Sequence, residues 1–196
     1  MKKGLKVCQI LLLVIIFLSS SLGLNYVYAA DVVATDKWGD NITWTLDSDG
    51  TLTITGDGDM YTEQTSVSPW NDYKDQVKNV VFNGKITSIS NRAFEKHTNL
   101  QSITLPDSIT EIGLRAFAEC PILETVVMPE NLVTIGMGAF YNCPALKSIE
   151  LPEKVMYVNE YAFDGCTSLK EITVKSDLVS LYDTENVLPN TIETLY

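Results

Sequence analysis

The chain has 196 residues, 45% of them hydrophobic, with 14 basic and 25 acidic side chains and a net charge of −11. That is enough apolar material for one domain, or a small pair, with a real core. The acidic balance excludes nucleic acid and anionic membrane as partners, because it repels both.

Residues 1–29 read as a signal peptide. Lys2, Lys3 and Lys6 precede an unbroken apolar run from Ile10 to Leu18, and Val27-Tyr28-Ala29 sets small residues at the −3 and −1 positions of a cleavage site. The run is shorter than the ~20 residues of a bilayer helix, and Ser19-Ser20-Ser21 and Gly23 interrupt it, so no membrane span is expected after cleavage. Cys8 stands before the run, which does not suit a lipid-modified cysteine. Cleavage removes three lysines and no acids, leaving a net charge of −14.

Residues 30–85 are expected to form an N-terminal β cap. Trp44 and Leu46 alternate with polar residues, Asp47-Ser48-Asp49-Gly50 is a turn phrase, and Leu52 and Ile54 alternate again, which is a β-hairpin. Val77, Val80 and Phe82 then give an incomplete first rung, joined to the hairpin by Ser68-Pro69-Trp70. The Asp47/Asp49 and Asp57/Asp59 pairs flank a six-residue strand ~20 Å long, too far apart to share one calcium ion. Asp57-Gly58-Asp59 alone stays open as a weak site, and no metal or cofactor is expected.

From Ile86 to Asp177 the chain repeats itself four times at an offset of 23 residues without insertion. Ala-Phe returns at Ala93-Phe94, Ala116-Phe117, Ala139-Phe140 and Ala162-Phe163; cysteine returns at Cys120, Cys143 and Cys166, with His97 in the first slot. Leu100, Leu123, Leu146 and Leu169 open a short alternating strand, and Pro106, Pro129 and Pro152 end it because proline has no N–H to continue a ladder. Ile109/Ile112, Leu132/Ile135 and Val155/Val158 supply an opposite wall, followed by Gly113 and Gly136, where a bend is expected. Apolar positions returning without slippage mean that each copy lies over the last, Phe on Phe and Leu on Leu, with parallel strands bonded along the stack.

The phrase L-x-x-I-x-L-P-x-x-[ILV]-x-x-I-G-x-x-A-F-x-x-C, together with "ITWTLDSDGTLTITGDGDM" and "SPWNDYKDQVKNVVF" before it, resembles the leucine-rich repeats of the BspA-like family of surface proteins. The resemblance implies a β-rich leucine-rich-repeat solenoid of 23-residue repeats with parallel strands and an N-terminal β-hairpin cap. It also implies a secreted or cell-surface protein that adheres to host, matrix or neighbouring-cell proteins. His97 for Cys, Lys175 for Pro and Asn159 for Gly depart from the pattern and loosen the first and last rungs.

Three cysteines one rung apart allow a metal, a disulfide or reduced thiols. Cys120 and Cys166 would lie ~10 Å apart, too far to share a zinc, and stacked side chains point the same way, which favours reduced thiols. His97, the only histidine, stands at the front of the stack, and no G-x-S-x-G or P-loop phrase accompanies it, so no enzyme is expected. A hydrolase using an unrecognised acid pair stays as a remote alternative, and a structural or decoy surface protein without a specific ligand as a nearer one.

The outward residues of the strands give the expected binding face for an unidentified extracellular protein: Gln101, Ser102 and Thr104; Glu124, Thr125 and Val127; Lys147, Ser148 and Glu150; Lys170, Glu171 and Thr173. Five strands make a strip ~24 Å by ~10 Å, about a third of the ~800 Å² that each partner gives to a standard interface. Tyr157 and Tyr161, joined by Tyr141, form a second candidate, since tyrosine anchors interfaces. Residues 178–196 read as a shortened last rung: Leu178 and Leu181 begin a copy, but "LPNTI" arrives nine residues early. That phrase departs from the sortase signal, having Ile192 for glycine and no hydrophobic tail.

Overall fold

The computed structural model describes residues 30–38, 40–60 and 67–175, with the backbone of 180–181 and 194–195. The expected signal peptide and most of the expected last rung lie outside the described residues. Among those described there is no α-helix, only one turn of 3-10 helix at Asn71–Tyr73, and none is long and apolar enough to cross a membrane.

The strands fall into two repeating walls and a sheet at the front. Strands β7 (Ser102–Thr104) and β9 (Thr125–Val127) pair in parallel, as do β11 (Ser148–Leu151), β13 (Glu171–Val174) and β15 (Thr194–Leu195). A bond from Lys147 N–H to Glu124 O joins the two groups. The opposite wall is a sheet in its own right. Strands β4 (Gly58–Asp59), β6 (Ile86–Ile89), β8 (Glu111–Ile112), β10 (Thr134–Ile135), β12 (Tyr157–Val158) and β14 (Ser180–Leu181) run parallel in that order. From β6 onwards, partners in both walls stand 23 positions apart, as Ser102 with Thr125 and Thr134 with Tyr157.

Between the walls the chain turns, and the turns are bonded too. Alternate amides reach the next rung: Arg92 N–H to Leu114 O, Phe94 N–H to Ala116 O and Lys96 N–H to Ala118 O, at 2.7–2.9 Å. The amides between them bond back into their own turn, as Glu95 N–H does to Arg92 O. Two slots in each turn need left-handed backbone: Arg92, Arg115, Gly138 and Tyr161 (φ 57°, 52°, 59°, 59°), and Lys96, Glu119, Asn142 and Gly165 (φ 62°, 60°, 56°, 77°). Each non-glycine there costs about 1–2 kcal/mol, and the inter-rung bonds hold the conformation in place.

The bend expected at Gly113 and Gly136 is not the reason for glycine, since neither has a positive φ. The reason is close approach: a Cβ on Gly136 would stand 2.7 Å from the carbonyl carbon of Gly113, and one on Gly113 2.7 Å from Asn91 Oδ1. In the same slot Asn159 donates from Nδ2 to Ile135 O at 3.0 Å.

The core is a column. Phe94, Phe117, Phe140 and Phe163 are fully buried, and successive rings lie 5.2, 5.3 and 5.5 Å apart within 8° of parallel. Trp70 heads it, stacked 5.8 Å from Phe94. Its indole Nε1–H donates to Ala93 O at 2.8 Å, taking the place of the Phe amide that serves the alanine carbonyl of each later rung. The sequence assigns Trp70 only to a linker.

At the front, the expected hairpin is present as β2 (Ile42–Asp47) and β3 (Thr51–Gly56), inside a larger sheet. An unforeseen strand, β1 (Val32–Trp38), lies antiparallel to β2, and β5 (Asn79–Asn83) runs parallel to β3. Trp38 and Trp44 meet Trp70 edge-on at 4.7 and 6.0 Å, which joins this sheet to the column.

Candidate functional site

The three cysteines are fully buried and in no disulfide, and each has a defined hydrogen-bond partner. Cys120, Cys143 and Cys166 donate from Sγ to the carbonyls of Phe94, Phe117 and Phe140, one rung back, at 3.0–3.1 Å. The neighbouring Cys120 thiol, and then burial, pushes the Cys143 thiol up; Cys143 and burial do the same to Cys166. Protonated, buried thiols are poor nucleophiles. Iodoacetamide on the native protein is therefore expected to leave all three unmodified by peptide mass spectrometry, and to modify all three in strong denaturant; adducts in the native protein would contradict the burial.

His97 is fully buried, with its ring edge-on to Phe94 at 5.4 Å. Its Nδ1 lies 3.3 Å from Glu95 O, while Nε2 has no partner. Burial lowers its pKa from 6.5 to about 4, so it is neutral and inaccessible. Among the described residues no group of His, Cys, Asp or Glu is arranged to hold a metal. The acids of the Asp57-Gly58-Asp59 phrase serve the chain itself: Asp57 Oδ1 accepts from Lys85 N–H at 2.7 Å and Asp59 Oδ1 from the Thr87 hydroxyl.

The outward strip forms over buried Ile103, Val126, Ile149 and Ile172. Gln101, Ser102, Thr104, Thr125, Val127, Lys147, Ser148, Glu150, Lys170 and Glu171 are exposed, and Glu124 and Thr173 are half-buried. Several of its charges pair within the protein. Glu124 accepts from Gln101 Nε2 at 3.3 Å and pairs with Lys147. Lys147, followed by Gln101, holds the Glu124 carboxyl below its usual range. Glu150 pairs with Lys175 and raises that ammonium's pKa. Solvent screens such exposed pairs, so they shape the face more than they hold the fold.

Of the three tyrosines, the structure brings two together. Tyr141 and Tyr161 line a notch of about 120 Å³ with Leu114, Arg115, Met137 and Gly138, whereas exposed Tyr157 stands outside it on β12. The sequence reading passed over Arg115, Leu114, Met137 and Gly138. The available signal was Gly138 itself, a missing side chain in a slot that otherwise holds Arg92, Arg115 and Tyr161.

The sequence matches the family described as BspA type leucine rich repeat region, in six copies, over residues 72–185. No curated protein matches it. Among solved structures it is similar to a leucine-rich repeat protein from Eubacterium ventriosum, with 26% identity and a TM-score of 0.58, covering 72% of this chain and 44% of that one. It is similar to another from Bacteroides capillosus, with 27% identity and a TM-score of 0.41, covering 83% and 96%. A third is the pneumococcal vaccine antigen PcpA, with 22% identity and a TM-score of 0.47, covering 84% and 46%. The chain thus spans less than half the length of the first and third of these proteins.

Proposed function

This chain belongs to the BspA type leucine-rich repeat family, whose members are protein-interaction modules, and we propose that it is a secreted or surface-held member that binds an extracellular protein. Residues 1–29 direct its export, the front sheet caps the open end of a 23-residue coil, and binding to host, matrix or neighbouring-cell protein falls to the strip from Gln101 to Thr173. One observation carries this reading: side chains that no interior needs stand in register on adjacent parallel strands, a continuous surface of the kind that repeat proteins use for recognition. The one histidine and the described thiols are buried, so none of them is placed to act on a ligand at this surface.

The test is capture of proteins from culture medium and host matrix by the purified protein, repeated with Lys147, Glu150, Lys170 and Glu171 all changed to alanine. A saturable partner lost in the quadruple variant supports the reading. The self-paired charges Glu124–Lys147 and Glu150–Lys175 favour a second one, a structural or decoy surface without a specific ligand. Absence of capture would select it, whereas capture unchanged in the quadruple variant would place binding off the strip and overturn the assignment of that face.

A further inference from the structure

The left-handed turn column of Arg92, Arg115, Gly138 and Tyr161 carries a side chain at every rung but one. Gly138 leaves that place empty, and the resulting notch stays open: a Cβ built there would meet only Arg115 Cγ and Tyr141 Cβ, both at 3.5 Å. At about 120 Å³ the notch is well below the ~300 Å³ at which small-molecule pockets begin, and suits a single side chain. With rungs ~4.8 Å apart, Arg115 and Tyr161 stand ~10 Å apart along the column, which admits one flat group in contact with each.

The walls decide which group. Arg115 is held rigidly, with Nε 2.7 Å from Glu95 Oε1, Nη2 2.5 Å from Glu119 Oε1, and the guanidinium carbon 5.1 Å from the centre of the Tyr141 ring. No carboxylate lines the notch to receive a lysine or arginine, and the held guanidinium attracts the negative face of an aromatic ring. Tyr161, 41% exposed, offers a ring on the other wall, and Met137, 47% exposed, a thioether at the side. We propose that this notch anchors one aromatic side chain of an extracellular protein partner, whose ring fills the place that Gly138 leaves vacant, between Arg115 and Tyr161. The proposal rests on the protein-binding reading above and adds a second contact surface, on the turn side of the coil.

The test uses N-acetyl-tryptophanamide as the probe and the methyl NMR signals of the methionines as the readout. In the purified protein the Met137 methyl is expected to move upfield and saturate, while that of Met156, exposed but outside the notch, stays in place. Gly138→Asn fills the vacancy with a residue that tolerates left-handed backbone, in a slot where arginine and tyrosine already adopt it, so the fold is expected to hold. It should weaken the probe's binding by about tenfold or more, and Tyr161→Ala should also weaken it. No saturable shift of Met137, binding unchanged in both variants, or a larger saturable shift with methyl glucoside than with the aromatic probe would each overturn the proposal. Because no partner protein enters the assay, its outcome is independent of whether the quadruple strip variant loses capture.

Discussion

Phe117→Ala is expected to destabilise the protein by about 3–5 kcal/mol, the cost of removing a fully buried phenylalanine and leaving a cavity. The ring has a neighbour on each face, Phe94 at 5.2 Å and Phe140 at 5.3 Å, nearly parallel to both. The hole would therefore lie inside the stack, where the rungs cannot close over it without breaking the bonds from Phe94 N–H to Ala116 O and from Phe117 N–H to Ala139 O. Phe163→Ala should cost less, because among the described residues that ring stacks only on Phe140. In a repeat protein, where stability is close to a sum over units and their contacts, the loss at Phe117 should also uncouple the rungs on either side. Urea unfolding followed by circular dichroism measures both effects: a lower midpoint with a broadened or split transition for Phe117→Ala, and a smaller shift for Phe163→Ala. A loss at Phe117 below that at Phe163 would contradict the column as the source of stability.

The second large effect is on acid stability and comes from His97. Burial lowers its pKa from 6.5 to about 4, against weaker opposing hydrogen bonds with the backbone of Glu95 and Phe94. Lys74 lowers it further and Asp75 raises it. The unfolded chain takes up a proton near pH 6.5, while the folded protein resists until about pH 4. Stability is therefore full above about pH 6.5 and falls as pH drops to about 4, by about 3 kcal/mol in all. The cause is visible in the geometry: Nε2 is buried without a partner, so a second proton would add a buried charge with no hydrogen-bond acceptor at that nitrogen. His97→Cys, which restores the residue of the other three rungs, should flatten the slope between pH 6.5 and 4, and the difference between the two proteins removes the carboxylates' own titration. Equal slopes in thermal melts across that window would contradict the assignment.

The repeat was legible because every inward side chain recurs at one interval, and stacking follows directly from recurrence. The Phe column, the burial of the cysteines and the alternation around Ile103, Val126, Ile149 and Ile172 all have that origin. What recurrence does not encode was missed or misread. Trp70 sits one place out of register with the Phe slot, and only the structure shows its indole nitrogen doing the work of a backbone amide. β1 has no sequence partner in the repeats; it forms because β2 offers a free edge. Gly113 and Gly136 were legible as glycines, but the need for them is the backbone of the rung before, which no local phrase reveals. The strip was predicted residue by residue, whereas its internal pairing depends on which charges meet across rungs, as Lys147 meets Glu124. The clamp of Glu95 and Glu119 on Arg115 likewise joins separations of 20 and four residues, and only the second is a local spacing.

Because Phe94 N–H meets Ala116 O as Phe117 N–H meets Ala139 O and Phe140 N–H meets Ala162 O, the middle rungs are interchangeable. Excising residues 115–137 would bring Ala139 under Phe94 with the same ring and the same amide in place. Recombination could shorten or lengthen the molecule's reach by whole rungs without inventing a new junction. Among the described residues it is the front end, where Trp70 substitutes for a rung and His97 for a thiol, that is made to measure.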